Sequence, residues 1–160
     1  MSSTRPREST LRFLAETLDQ NIHGRVHGGA VMKWIDQAGY TCAAGWCRNP
    51  CVTVYVGGIR FHKPIHIGSI VELTAKLIYT GTTSMHISVD VSATNPLTDE
   101  TTRTTSCVIV FSAIDAEGLK MPVPKWIPIT GEDHSLEHYA IKLMELRKGI
   151  ESQLISERGS

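Results

Sequence analysis

The chain has 160 residues, 41% of them apolar, and equal numbers of basic and acidic side chains at 16 each. That length fits one domain with a real core. The charge balance sets up no global field toward nucleic acid or an anionic membrane; no run nears the roughly 20 apolar residues of a membrane span, and "MSSTRPREST" lacks a secretory apolar core, so the expectation is one domain over residues 1–160, soluble and cytoplasmic.

In chain order, Leu11, Phe13 and Ala15 alternate with Arg12, Leu14 and Glu16, a weak strand or a short turn. From Gly29 to Gly45 the period changes. Val31, Trp34, Ile35, Ala38 and Cys42 recur at three and four residues, which reads as a helix. Its many small residues predict close enclosure by other elements. Val52, Val54 and Val56 then alternate with Cys51, Thr53 and Tyr55, and Gly57 and Gly58 interrupt the run as a bulge or a close backbone approach.

Val71, Leu73, Ala75, Leu77 and Tyr79 form one face of the next strand, and Met85, Ile87, Val89, Val91 and Ala93 the inner face of the one after it. "TGTT" between them is turn chemistry. Arg103 to Ile114 is a last long strand. A proline-punctuated connector leads to Leu136, Tyr139, Ala140, Leu143, Leu146, Ile150 and Leu154, whose period predicts an amphipathic helix over about 134–155, docked on the body or on a neighbouring subunit. One early helix followed by strands joined through short turns implies an α+β fold, an antiparallel sheet curled around a central helix.

The stretch "NIHGRVHGGAVMKWID" carries the chemistry. The first amides of a helix lack partners within it, the helix dipole adds positive charge there, and Gly28 and Gly29 permit close approach. This opening either holds an oxyanion or polarises a carbonyl, or is an ordinary helix entry. Asp36 lies on nearly the same face, roughly 10 Å further along the axis. It either serves a site or pairs with Lys33 in solvent. Asn21 either caps the turn or orients a carbonyl or water. His23 and His27 flank it without a paired orienting group. Cys42, Cys47, Cys51 and Cys107 lack zinc spacing and read as buried thiols, so no metal is expected.

These residues carry a resemblance. "NIHGRVHGGAVMKWIDQAG" resembles the helix opening of hotdog-fold acyl-CoA thioesterases of the YciA and cytosolic acyl-CoA hydrolase type, matching at Asn21, Gly24, Gly28, Gly29 and Asp36. Phe61, Pro64 and Gly68 match a following turn, and Ser84 a hairpin. The likeness spans about residues 10–128. It implies a hotdog fold paired into dimers, further assembled as a trimer of dimers, and hydrolysis of acyl-CoA to a free acid and CoA. Asp36 would be general base or nucleophile, Asn21 of the partner subunit would position water or carbonyl, and the Gly28 or Gly29 amide would polarise the thioester. No cofactor is implied, because CoA is part of substrate and product. Arg60, Lys63, Ser84, Arg147 and Lys148 are the candidates for holding CoA. Gly57 and Thr82 depart from residues common in the family, Asp and Arg respectively. The alternatives are a hotdog enoyl-CoA hydratase or dehydratase, and a non-catalytic acyl-CoA-binding regulator.

Overall fold

A computed structural model describes residues 4–159, in which one long helix lies across a five-stranded sheet and a second helix crosses its back. In chain order the elements are β1 (Glu8–Leu14), a short 3-10 turn (Thr17–Asp19), α1 (Gly28–Cys47), β2 (Cys51–Phe61), β3 (Ile70–Thr80), β4 (Ser84–Thr94), β5 (Thr101–Ala113) and α2 (Gly131–Arg158). The strand order is β1-β3-β4-β5-β2, and every neighbouring pair is antiparallel. β1 and β2 are therefore the two edges.

The core lies between α1 and the sheet. The expected inner faces are buried: Val71, Leu73, Ala75 and Leu77 of β3, and Met85, Ile87, Val89 and Val91 of β4. Gly39 lets the helix settle directly on β5, because a Cβ there would stand 2.8 Å from Phe111 Cε2 and 2.9 Å from Ile109 Cγ2. α1 ends where Arg48 adopts a left-handed φ of 56° and its N–H bonds to Ala44 O. The expected enclosure of α1 is incomplete. Val31, Trp34, Ile35 and Ala38 face the sheet, but Met32, Lys33, Asp36, Gln37 and Tyr40 stand exposed along the other side. Small residues mark the contact with the sheet and say nothing of the opposite face.

Two irregularities shift the strand readings. A bulge between Leu77 and Tyr79 takes Tyr79 off the α1 face and sets it, partly buried, against the cluster around Ile78. There Ile78 packs with Val108 and Ala140 beneath α2. The second lies at Gly57 and Gly58, where the β2 register shifts and Gly58 takes φ 59°.

α2 runs a turn further at its start than expected and is capped by Thr130, whose hydroxyl accepts from Asp133 N. Asp133 in turn pairs with Arg7, which also stacks over Trp126, so the segment just ahead of β1 is clamped to the helix start. Past Leu143 the apolar stripe of α2 has no cover in a single chain: Leu146, Ile150 and Leu154 are exposed. Among the described residues no helix is long and apolar enough to cross a membrane.

Candidate active site

The opening of α1 is held by a residue the sequence reading left aside. His27 is the N-cap, and its Nδ1 accepts from Gly29 N at 2.8 Å. Ala30 N and Val31 N both donate to His27 O. Gly28 N enters none of these bonds. Of the two expected amides, Gly28 therefore points out of the helix uncapped, and Gly29 is engaged by the imidazole. A Cβ on Gly28 would meet nothing within 4 Å, so there is open space at that position. A cavity of about 260 Å³ adjoins it, walled by Val26, Val31, Phe61 and Ile65 among others.

Asn21 takes the local role. Its Oδ1 accepts from His23 N at 2.8 Å and from Arg25 N at 3.2 Å, closing the turn ahead of the helix. The turn requires Gly24 at φ 74°, a conformation cheap only for glycine. With the carbonyl end of the amide committed to the turn, its NH2 end is the part available to another group.

Asp36 is exposed in the single chain, not buried. Its Oδ1 accepts from Thr53 Oγ1 at 2.6 Å, so its recorded partner is a strand hydroxyl and not Lys33. Thr53 was not singled out from sequence. It sits in an alternating strand, and only the fold shows that β2 lies beside the middle of α1. Apolar side chains are also uncovered on these two elements: Met32 and Tyr40 of α1 and Val52, Val54 and Val56 of the β2 edge are each between 38% and 45% exposed. That is much uncovered hydrocarbon on one edge strand.

The five candidate CoA contacts fall into two groups. Arg60 and Lys63 are exposed at the end of the sheet that carries the α1 opening. Ser84 starts β4 at the other end, its Oγ 3.5 Å from His86 Nε2. Arg147 lies on α2 with its guanidinium 4.5 Å over the Tyr55 ring, and Lys148 is exposed beside it. Phe61 pairs with Thr105 and Ser84 with Ser112, so along β5 the ends stand roughly 23 Å apart at about 3.3 Å per residue. The five residues therefore do not converge in one chain, because an extended sheet separates them.

The remaining titratable groups argue against other chemistries. Burial pushes the Cys42 thiol up to about 12 and Cys107 to about 11. Cys51 also rises to about 12, through burial and then through neighbouring Cys47. Such thiols are inert as nucleophiles at neutral pH. His86 is pushed down to about 4 by burial and then by Arg147, and stays uncharged under α2.

Comparison with known proteins agrees with this geometry. The family model of the thioesterase superfamily matches residues 23–99, from just after Asn21 through β4. The acyl-CoA thioester hydrolase YciA of Salmonella typhimurium is 31% identical over 128 residues, covering 78% of this chain and 96% of that protein. The chain belongs to the acyl-CoA thioester hydrolases. Its hotdog fold is shared with a solved hexameric acyl-CoA thioesterase, at 31% identity and a TM-score of 0.85, covering 89% of this chain and 91% of the other. The Staphylococcus aureus acyl-CoA hydrolase, 25% identical with a TM-score of 0.83 and 94% coverage of each chain, has been solved with an aspartate and, separately, a threonine 17 residues later replaced by alanine. Asp36 and Thr53 of this thioesterase have the same spacing and meet through a hydrogen bond.

Proposed function

We propose that this protein hydrolyses acyl-CoA thioesters to a carboxylic acid and CoA at a site shared between two copies of the chain. The observation that carries the reading is the Asp36–Thr53 hydrogen bond, set beside an uncovered apolar sheet edge and two helical turns from an uncapped helix amide. The thioester carbonyl docks at the α1 opening, where the Gly28 N–H and the helix dipole stabilise negative charge developing on its oxygen. Gly29 N–H adds a second donor when the His27 ring turns aside.

Distance argues for two chains. A general base must lie within about 3 Å of the proton it takes, or act through one water. Asp36 is roughly 10 Å along the axis from Gly29 of its own helix. A two-fold-related copy, joined along β2, places its α1 antiparallel to the first and brings its own carboxylate to the opening. Asn21 then faces Asp36 of the partner subunit, its NH2 end orienting the water or the carbonyl. Thr53 fixes the carboxylate so that a free oxygen lone pair faces the substrate.

Asp36 takes the proton of the attacking water, or attacks the carbonyl carbon itself. In either route the C–S bond breaks and CoA departs as thiolate; in the first the proton taken from water is returned to its sulfur, and in the second water then hydrolyses the acyl–Asp36 anhydride, freeing the acid and supplying that proton. Arg60 and Lys63, or Arg147 and Lys148 with Ser84, supply the contacts to CoA. The dimers assemble further by threes, as a hexamer.

The test is thiol release from a panel of acyl-CoAs, followed with a thiol reagent, for wild type and Asp36→Ala. Hydrolysis by the wild type, lost in a folded Asp36→Ala, supports the proposal. Binding without thiol release would point to a regulator. A change in enoyl absorbance without thiol release would point to a hydratase.

A further inference from the structure

Resting on the hydrolase reading above, the geometry points to the cavity beside Gly28 as the acyl-chain pocket, with Val31 as the residue that sets the chain length accepted. The cavity measures about 260 Å³ and is lined by Val26, Gly28, Val31, Phe61, Ile65 and Thr105, among others. Its inner wall is apolar and firm. Val26, Val31 and Ile65 are buried to 8% exposure or less, and Thr105 to 1%. Its outer edge is the exposed run of Phe61, 52% exposed, with His62, Lys63 and Pro64.

Three observations converge on an acyl group as the occupant. The pocket opens where the Gly28 amide is uncapped and a Cβ would meet empty space, so a carbonyl held there directs its substituent into the pocket. The inner walls carry no formal charge, so a hydrocarbon tail loses nothing by desolvation there. The size suits a tail: a cavity of about 150 Å³ accommodates a six-carbon ring, and this one, open on its outer side, measures about 260 Å³. The neighbouring cavity of about 340 Å³, on the far side of Lys63 and Pro64, includes no residue of α1 and carries the Glu100 carboxylate in its lining.

Val31 is the side chain of α1 in this lining, one turn past Gly28 and packed in the core. The helix backbone fixes its position, so the length of its side chain sets the depth behind the carbonyl. A shorter side chain there lengthens the pocket, and a longer one shortens it.

The experiment is kcat/KM across saturated acyl-CoAs from two to sixteen carbons for wild type, Val31→Ala, Val31→Leu and Phe61→Ala. Val31→Ala should move the optimum to longer chains and Val31→Leu to shorter ones, each changing the long-to-short ratio by about tenfold, the scale of a methylene in an apolar pocket. Phe61→Ala removes an exposed wall without touching the core, and should weaken the longer chains while sparing acetyl-CoA. A core substitution acting only through stability would scale all chain lengths alike. An active enzyme whose chain-length profile is the same in all four proteins overturns this inference and leaves the hydrolase reading standing. Absence of thiol release from every acyl-CoA in the wild type overturns both.

Discussion

Thr53 Oγ1 donates to Asp36 Oδ1 at 2.6 Å, joining the middle of the central helix to the edge strand of the sheet. The bond orients the carboxylate on a side of the molecule that also exposes Met32 and Tyr40. Replacing Asp36 with alanine should lower turnover at least about a hundredfold, the usual scale for a positioned base. Because Asp36 is exposed in the single chain, melting temperature should stay close to wild type. Thr53→Val keeps the side chain's shape and removes the hydroxyl, and should lower kcat with little effect on KM. Steady-state kinetics beside thermal melts check both; a kcat unchanged in Thr53→Val would remove the orienting role.

A site shared by two copies makes a mixing prediction. Asn21→Ala and Asp36→Ala should each be nearly inactive alone. Dissociated and reassembled together in equal amounts, they should recover about a quarter of wild-type activity. Half of the dimers then pair unlike chains, and two-fold symmetry leaves one of their two sites whole. No recovery on mixing, with mixed dimers confirmed by mass spectrometry, would put both residues in the same chain's site.

The exposed edge of β2 should be where copies join. Val54→Lys places a charge in the middle of that edge, among Val52 and Val56. Edge charges oppose strand pairing, so the variant should sediment as a smaller species and lose activity in parallel. An unchanged sedimentation profile would move the interface elsewhere.

Gly39→Ala should destabilise the fold. The added Cβ would approach the Phe111 ring and Ile109 to under 3 Å, and overpacking a closed core costs typically about 1–3 kcal/mol. Thermal or urea unfolding reads the loss directly. Full stability in this variant would show that α1 sits less tightly on β5 than the contacts indicate.

Acid stability should depend on Asp133. Burial works to raise its pKa, but the N–H groups of Thr130 and Ile129 and the Arg7 guanidinium outweigh this and hold the carboxyl well below the usual range. A depressed folded-state pKa stabilises the protein above the unfolded value, near 3.9. That stability is lost as pH falls from there toward the folded value, because the unfolded chain binds the proton first. Asp133→Asn should therefore flatten the acid limb of stability against pH below about 4. Urea midpoints measured from pH 2 to 7 check the slope.

Much of this arrangement was legible in the residues. Apolar spacing alone placed α1, the buried faces of β3 and β4 and the C-terminal helix, because periodicity is a property of local chain geometry. The glycine-rich opening and the lone acid two turns on were visible for the same reason. Less was legible where the determinant is contact between distant segments. The bulge that takes Tyr79 off the α1 face depends on the pairing of β3 with β4. The use of His27 Nδ1 as a cap depends on a side-chain rotamer, and histidine carries no strong capping signature. Thr53 is one of many strand threonines until β2 is laid beside α1. The scattering of Ser84 and Arg147 away from Arg60 and Lys63 follows from strand length and register, which motif matching does not measure.

The sequence by itself determined the elements, the character of the helix opening and the family to which the chain belongs, since each is written in short-range pattern. Only the tertiary structure decided that β1 and β2 are the edges, which hydroxyl meets Asp36, and that Ser84 and Arg147 stand away from Arg60 and Lys63. Those are matters of packing between segments far apart in the chain, and the free energy that settles them is shared among many contacts rather than held by any one residue.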